Sequence, residues 1–144
     1  MVDIRRIDKV TSQLYSNTAV AYSDFYTNFN KHPETGALGL NTNVQAVKRA
    51  LRNLLMTDVG ERMFQPNYGC NIRKVLFEEV SAVNTTLLKS HIQDAIANYE
   101  PRVRVQEIVV VANQDAHSYE IAIVFQVINN TNIATLNLTL KRVR

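Results

Sequence analysis

Pro101 divides this chain into two kinds of sequence. A proline lacks the N–H that a helix interior needs and its ring collides with the preceding turn, so no helix runs through it. It also pushes Glu100 toward extended geometry. Residues with a helical period lie before this point, and the β-like alternation lies after it. Helices and strands that are segregated along a chain imply an α+β fold rather than βαβ units.

Upstream, Val44, Val47, Ala50, Leu51, Leu54 and Leu55 recur at helical spacing and make one apolar face. They predict a helix from about Asn43 to near Thr57, with Thr42 and Gln45 as the two halves of a capping box. A second long helix is predicted from Ser81 or Asn84 to Tyr99. Its stripe is Leu87, Leu88, His91, Ile92, Ala95 and Ile96. Between the two lies GERMFQPNYG, residues 60–69. Two glycines and a proline in that stretch exclude a regular element. An ordered loop is expected, anchored by Met63, Phe64 and Tyr68. Ile72, Val75, Leu76 and Phe77 suggest a short helix directly after it.

Downstream, VRVQEIVVVA from Val103 to Ala112 is rich in β-branched residues, and its alternation slips at Gln106–Glu107. A bulge, or a strand buried on both faces, would account for that slip. Tyr119, Ile121, Ile123, Phe125 and Val127 alternate with Glu120, Ala122, Val124 and Gln126, which is a strand signal. After a turn at Asn129–Asn132, Leu136, Leu138 and Leu140 alternate with Thr135, Asn137, Thr139 and Lys141. The last strand should therefore run from about Ile133 to Val143, with a polar outer face.

The first forty residues are the least regular. Val10, Leu14, Tyr15 and Thr18 hint at a weak helical stripe. Tyr22, Phe25, Tyr26 and Phe29 cluster aromatics, and His32 to Gly36 reads as a turn. An arm packed on the domain and an arm gripping a neighbour both fit this composition. The expected architecture is two main helices packed on one face of a small, mainly antiparallel C-terminal sheet. Residues 1–40 form an irregular N-terminal arm and residues 41–144 the domain.

With 16 basic and 13 acidic residues, the net charge of +3 is too small to argue for nucleic acid. No run approaches the length of a membrane span, and no signal-peptide pattern follows Arg5 and Arg6. A single cysteine, Cys70, excludes an intrachain disulfide. These features point to a protein that folds in cytoplasm or in a particle assembled there, with no cofactor.

The residues offer little for catalysis. Cys70 could be a nucleophile only beside His32, His91 or His117, and it reads better as a small buried thiol. The three histidines are too scattered for a metal site. Glu61 could pair with Asp58, Glu78, Glu79 or Glu100 for glycoside hydrolysis, but nothing in the sequence sets the separation that this chemistry needs. Glu100-Pro101-Arg102 either simply ends a helix or projects two opposite charges on one face of an extended segment. The second reading is favoured by its position between an amphipathic helix and the β-rich tail.

Several short motifs carry a resemblance when taken together. They are Asn53-Leu54-Leu55 with Thr57, Gly60-Glu61-Arg62, Phe64, Pro66, Gly69, Leu76-Phe77-Glu78 and Tyr99-Glu100-Pro101-Arg102-Val103. The chain resembles the baseplate wedge and sheath-initiator family of contractile phage tails, which has relatives in type VI secretion baseplates. The resemblance spans roughly Thr35 to Leu140. It departs at Val59, where the family turn has proline, and nothing is carried onto the first 34 residues. It implies a structural protein of the virion tail baseplate, with no enzymatic activity and no nucleic-acid or membrane partner. Glu100, Pro101 and Arg102 would dock on helical-bundle proteins of the wedge. The final strand, Thr135, Leu136, Asn137, Leu138, Thr139 and Leu140, would template the first ring of the tail sheath protein. Tail tube or hub proteins are further candidate partners. Gly60, Glu61, Arg62, Phe64, Pro66 and Gly69 would shape a structural loop. The family has also carried a lysozyme-like label, so a tail-associated peptidoglycan hydrolase is the alternative. An unrelated α+β interaction module is the third reading.

Overall fold

The computed structural model describes residues 20–26, 28–33, 35–78, 80–128 and 132–141. The chain divides into two compact units, Met1–Asn43 and Val44–Arg144. The weak stripe at Val10, Leu14, Tyr15 and Thr18 lies outside the described residues, as do most of the turn at 129–132 and the basic residues Arg142 and Arg144.

In the first unit, β1 (Ser23–Phe25) pairs antiparallel with β2 (Leu40–Thr42). The region is therefore more regular than its sequence suggests. Strands of three residues are too short for alternation to show. His32 to Gly36 forms the expected turn: His32 N–H donates to the Ala37 carbonyl and Gly36 N–H to that of His32. Phe25, Tyr26 and Phe29 are exposed.

The break between β2 and the first helix falls on Asn43, whose φ is +49°. Asparagine tolerates this left-handed conformation better than most residues. Its N–H donates to the Tyr22 carbonyl and its side-chain oxygen accepts from Ala21 N–H at 2.9 Å. Thr42, expected as the cap, instead ends β2.

In the second unit, α1 (Asn43–Met56) buries Ala46, Val47, Leu51, Leu54 and Leu55. A short helix, α2 (Ile72–Leu76), buries Ile72 and Val75. The long α3 (Ala82–Tyr99) starts at Ser81, whose hydroxyl accepts from Asn84 N–H. It ends at Glu100, whose N–H still reaches the Ile96 carbonyl. Leu88, Ile92, Ala95 and Ile96 are buried, whereas Leu87 is largely exposed and His91 half-buried.

The sheet has the order β3 (Val103–Asn113), β4 (Ser118–Val127), β5 (Ile133–Lys141), antiparallel throughout. The expected slip is a bulge: Val105 faces Phe125 and Glu107 faces Val124, leaving Gln106 as the extra residue. The bulge corrects a phase error. Val103 and Val105 lie on the inner face before it, and Ile108 and Val110 return to that face after it. Inner rows such as Ile108–Ile123–Leu136 and Val110–Ile121–Leu138 lie beneath the helical layer, and α3 packs across β3. On β4 and β5 every second residue is buried. One face is thus covered and the other open, as expected of an α+β antiparallel sheet.

Candidate docking surfaces

The Glu-Pro-Arg turn joins α3 to β3. Its backbone is held at both ends: Val103 N–H donates to the Glu100 carbonyl and Ile128 N–H to the Arg102 carbonyl. Residues i and i+2 project to one side, as the sequence implies, but the two side chains meet each other. Arg102 Nε donates to Glu100 Oε1 at 2.5 Å and Nη2 to Oε2 at 2.7 Å, a bidentate pair. The Glu100 side chain is only 7% exposed, against 36% for Arg102. Glu100 therefore acts inside the fold, and Pro101 and part of Arg102 form the outward surface of this turn.

The loop 60–69 folds back on itself through backbone bonds. Gly60 N–H donates to the Pro66 carbonyl, and Cys70 N–H to that of Thr57. Glu61 closes its start by accepting from Asp58 N–H at 2.9 Å, and Asp58 forms an ion pair with Arg73. Gly69 has φ +132°, and a Cβ there would lie 2.5 Å from the Thr57 carbonyl oxygen. Only glycine fits that position.

Of the three expected apolar anchors, Tyr68 packs inward within the stack described below, whereas Met63 and Phe64 do not. Met63 and Phe64 are 90% and 98% exposed. Sequence reasoning assigned them inward because large apolar residues usually are buried. The loop instead closes through its backbone and an aromatic stack, which leaves its tip outside. The stack starts with the Arg62 guanidinium, 4.0 Å from the Tyr68 ring centroid. Tyr68 meets Tyr99 edge-on at 5.3 Å, and the Tyr99 hydroxyl donates to the Asn67 carbonyl. Burial raises the Tyr68 pKa; Arg62 opposes the shift, Glu100 adds to it and Arg102 opposes it. The loop and the Glu-Pro-Arg turn are thus neighbours across Tyr68, an adjacency with no signal in the sequence. A recess of about 500 Å³ lies beside them, lined by Phe64 to Tyr68 with Asn98 and Tyr99.

The last strand separates as predicted into two faces. Leu136, Leu138 and Leu140 are buried, and Thr135, Asn137 and Thr139 are exposed. Among the described residues β5 pairs only with β4, without a register shift, so its other edge carries no strand. Beside its C-terminal end lies a mainly apolar groove of about 400 Å³. Its walls are Leu55 and Met56 of α1, Ile72, Arg73 and Leu76 of α2, Phe77, and Thr139 to Lys141. Phe77 is 67% exposed there.

The catalytic candidates are placed differently. Cys70 is buried, its thiol donates to the His91 carbonyl, and burial pushes its pKa up to about 12. Such a thiol is a poor nucleophile. Glu61 is exposed, with its carboxylate turned to the loop backbone. Among the described residues no group of three or more His, Cys, Asp or Glu side chains could hold a metal ion.

Comparison with known proteins decides the family. The family model described as baseplate wedge protein gp25 matches residues 41–132, more than half of the chain. The chain belongs to the baseplate wedge protein gp25 family. The baseplate wedge protein gp25 of Enterobacteria phage T4 is 30% identical over 87 residues. That match takes in 60% of this chain and 66% of the T4 protein, just short of two thirds of its length. Two solved structures share the fold. A Geobacter sulfurreducens protein proposed as a tail lysozyme has a TM-score of 0.62 at 21% identity, over 68% of this chain and 89% of its own. A chain of the anti-feeding prophage baseplate has a TM-score of 0.58 at 20% identity, over 83% and 85%. Membership of the baseplate wedge family places the protein among structural components of contractile-tail baseplates.

Proposed function

We propose that this baseplate wedge protein docks on wedge helical-bundle proteins around Pro101 and Arg102, and that β5 templates the first ring of tail sheath protein by strand addition. The observation that carries the second step is the regular edge of β5, which pairs with no further strand among the described residues, with an apolar groove at its end. An incoming strand would continue the rows of the sheet, and a large inward side chain near Leu140 would enter the groove. The other edge, β3, carries the bulge at Gln106, which disfavours pairing.

Magnitudes favour a ring over a single copy. Four to six added backbone hydrogen bonds contribute about 0.5–1.5 kcal/mol each. Association costs about 4–15 kcal/mol in lost freedom. One strand addition is marginal, and several copies on a completed baseplate raise the effective concentration enough to make growth cooperative.

The test is deletion of the gene and negative-stain electron microscopy of the particles. Baseplates without an assembled sheath are the expected result. Complete contractile tails that attach but fail to infect would overturn the initiator reading. They would turn attention to peptidoglycan hydrolysis, which Glu61→Gln should then abolish.

A further inference from the structure

We propose that Arg73 is the positioning residue of the groove beside β5: its guanidinium ties the end of α1 to α2 and so fixes the two helical walls between which the added strand would place its apolar side chain. This rests on the templating reading above and names the side chain that shapes its site.

The geometry is that of a brace. Arg73 belongs to α2, but its head lies on the end of α1. Nη2 donates to the Met56 carbonyl at 3.3 Å, and Nη1 pairs with Asp58 at 3.2 Å. The α1 terminus calls for such a cation. Carbonyls at a helix C-terminus lack intrahelical partners and gather partial negative charge, and the last turn of α1 carries no basic residue of its own. Neighbouring carbonyls are satisfied locally. Thr57 Oγ1 donates to that of Asn53, Thr57 N–H to that of Leu54 and Cys70 N–H to that of Thr57. Met56 is the one that Arg73 reaches. Asp58 is itself held, because its N–H donates to Glu61 Oε2 at 2.9 Å and its carbonyl accepts from Glu61 N–H. The ion pair therefore ends on a residue whose backbone is fixed.

The brace matters because α2 cannot hold itself. Five residues are too few for an independently stable helix. Ile72 and Val75 bury one side of it, and Arg73 ties another side to α1. Leu76 and Phe77 follow within one turn of Arg73, so the wall they form moves with it. Met56 stands in the opposite wall, at the carbonyl that Arg73 holds. One side chain thus sets the separation of both walls. The ion pair is well solvated, with 52% and 35% of its two side chains exposed, so it adds little to overall stability. Its effect is on geometry. The planar guanidinium fork meets a carboxylate and a carbonyl at once, which a lysine ammonium on a flexible stem does less well.

The experiment has two parts. In the purified chain, 4-fluorophenylalanine at position 77 reports the surroundings of that ring by fluorine NMR. Arg73→Gln should shift or broaden the resonance, whereas Arg52→Gln, on the exposed side of α1, should leave it in place. In tails, Arg73→Gln should lower the number of sheathed particles per assembled baseplate at least tenfold. Incorporation into baseplates and melting temperature should both stay close to wild type, and Arg73→Lys should restore part of the sheathing. An unmoved resonance would overturn the proposal. A matching loss of incorporation would assign Arg73 to docking, and a clearly lower melting temperature would assign it to the fold; either would overturn it too. Wild-type sheathing with Arg73→Gln beside failed sheathing with Phe77→Asp would remove the positioning role and leave the templating reading standing. Wild-type sheathing in both variants would remove the two together.

Discussion

The Glu100–Arg102 pair shows why a charged motif cannot be read from its letters alone. Spacing of two in extended chain puts both side chains on one face, and that much is visible in the sequence. Whether they face a partner or each other depends on depth, which α3 and the sheet determine. The two halves are unequally buried, so their removal should have unequal cost. Arg102→Ala leaves a buried carboxylate without its cation and should cost about 2–4 kcal/mol. Glu100→Ala leaves a guanidinium that can turn to water and should cost roughly 1 kcal/mol. Urea unfolding of both single variants and the double variant would check this, with the double costing less than the sum. Cys70 gives a pH prediction. Its pKa rises from 9.0 to about 12 on folding, so above pH 9 the unfolded chain loses this proton first. The stabilisation is complete below pH 9 and is lost as pH rises toward 12. Thermal unfolding of Cys70→Ala should show a shallower alkaline decline than wild type.

At the level of elements, the sequence was most legible where burial imposes a period. The stripe of α1, the alternation of β4 and β5 and the slip in β3 all correspond to observed elements. The loop was less legible, because its stability comes from backbone closure and one aromatic stack. Gly60 and Gly69 look alike in the sequence, yet their surroundings differ. A Cβ at Gly60, with φ +94°, meets open space, whereas one at Gly69 collides with Thr57 and Asp58. Gly60→Ala should therefore cost about 1–2 kcal/mol in backbone strain and Gly69→Ala about 2–4 kcal/mol or more. Calorimetric melting of the two variants would separate them. The bulge allows a further prediction. Deleting Gln106 leaves VRVEIVVVA, in which inward residues alternate without interruption. The variant should keep a melting temperature near that of wild type, while its flatter β3 edge should self-associate more readily. Sedimentation velocity would detect this.

For the whole molecule, the decisive question is what completes the sheet. Leu138 is 5% exposed, so Leu138→Pro would damage the core as well as the edge and is a poor probe of templating. Phe77→Asp is better. Phe77 lines the groove but is mostly exposed, so melting should shift little, within about 0.5 kcal/mol in stability. If β5 templates the sheath as proposed, initiation should nevertheless fail, because a carboxylate would sit where the added strand would place an apolar side chain. Electron micrographs of tails from that variant would decide the matter. Neither the groove nor the pairing of the loop with the Glu-Pro-Arg turn was visible beforehand. Each is assembled from residues distant in sequence, and no local pattern records their meeting.

The buried thiol also has a practical consequence. Maleimide reacts with thiolate, and at neutral pH Cys70 supplies almost none. A cysteine introduced on the surface, for instance at Met63 or at Thr135, would be the one reactive handle on an otherwise unaltered chain. Fluorescent dyes placed singly on the loop tip or the sheet edge could then report, in real time and in separate channels, whether each surface is covered during tail assembly and in what order.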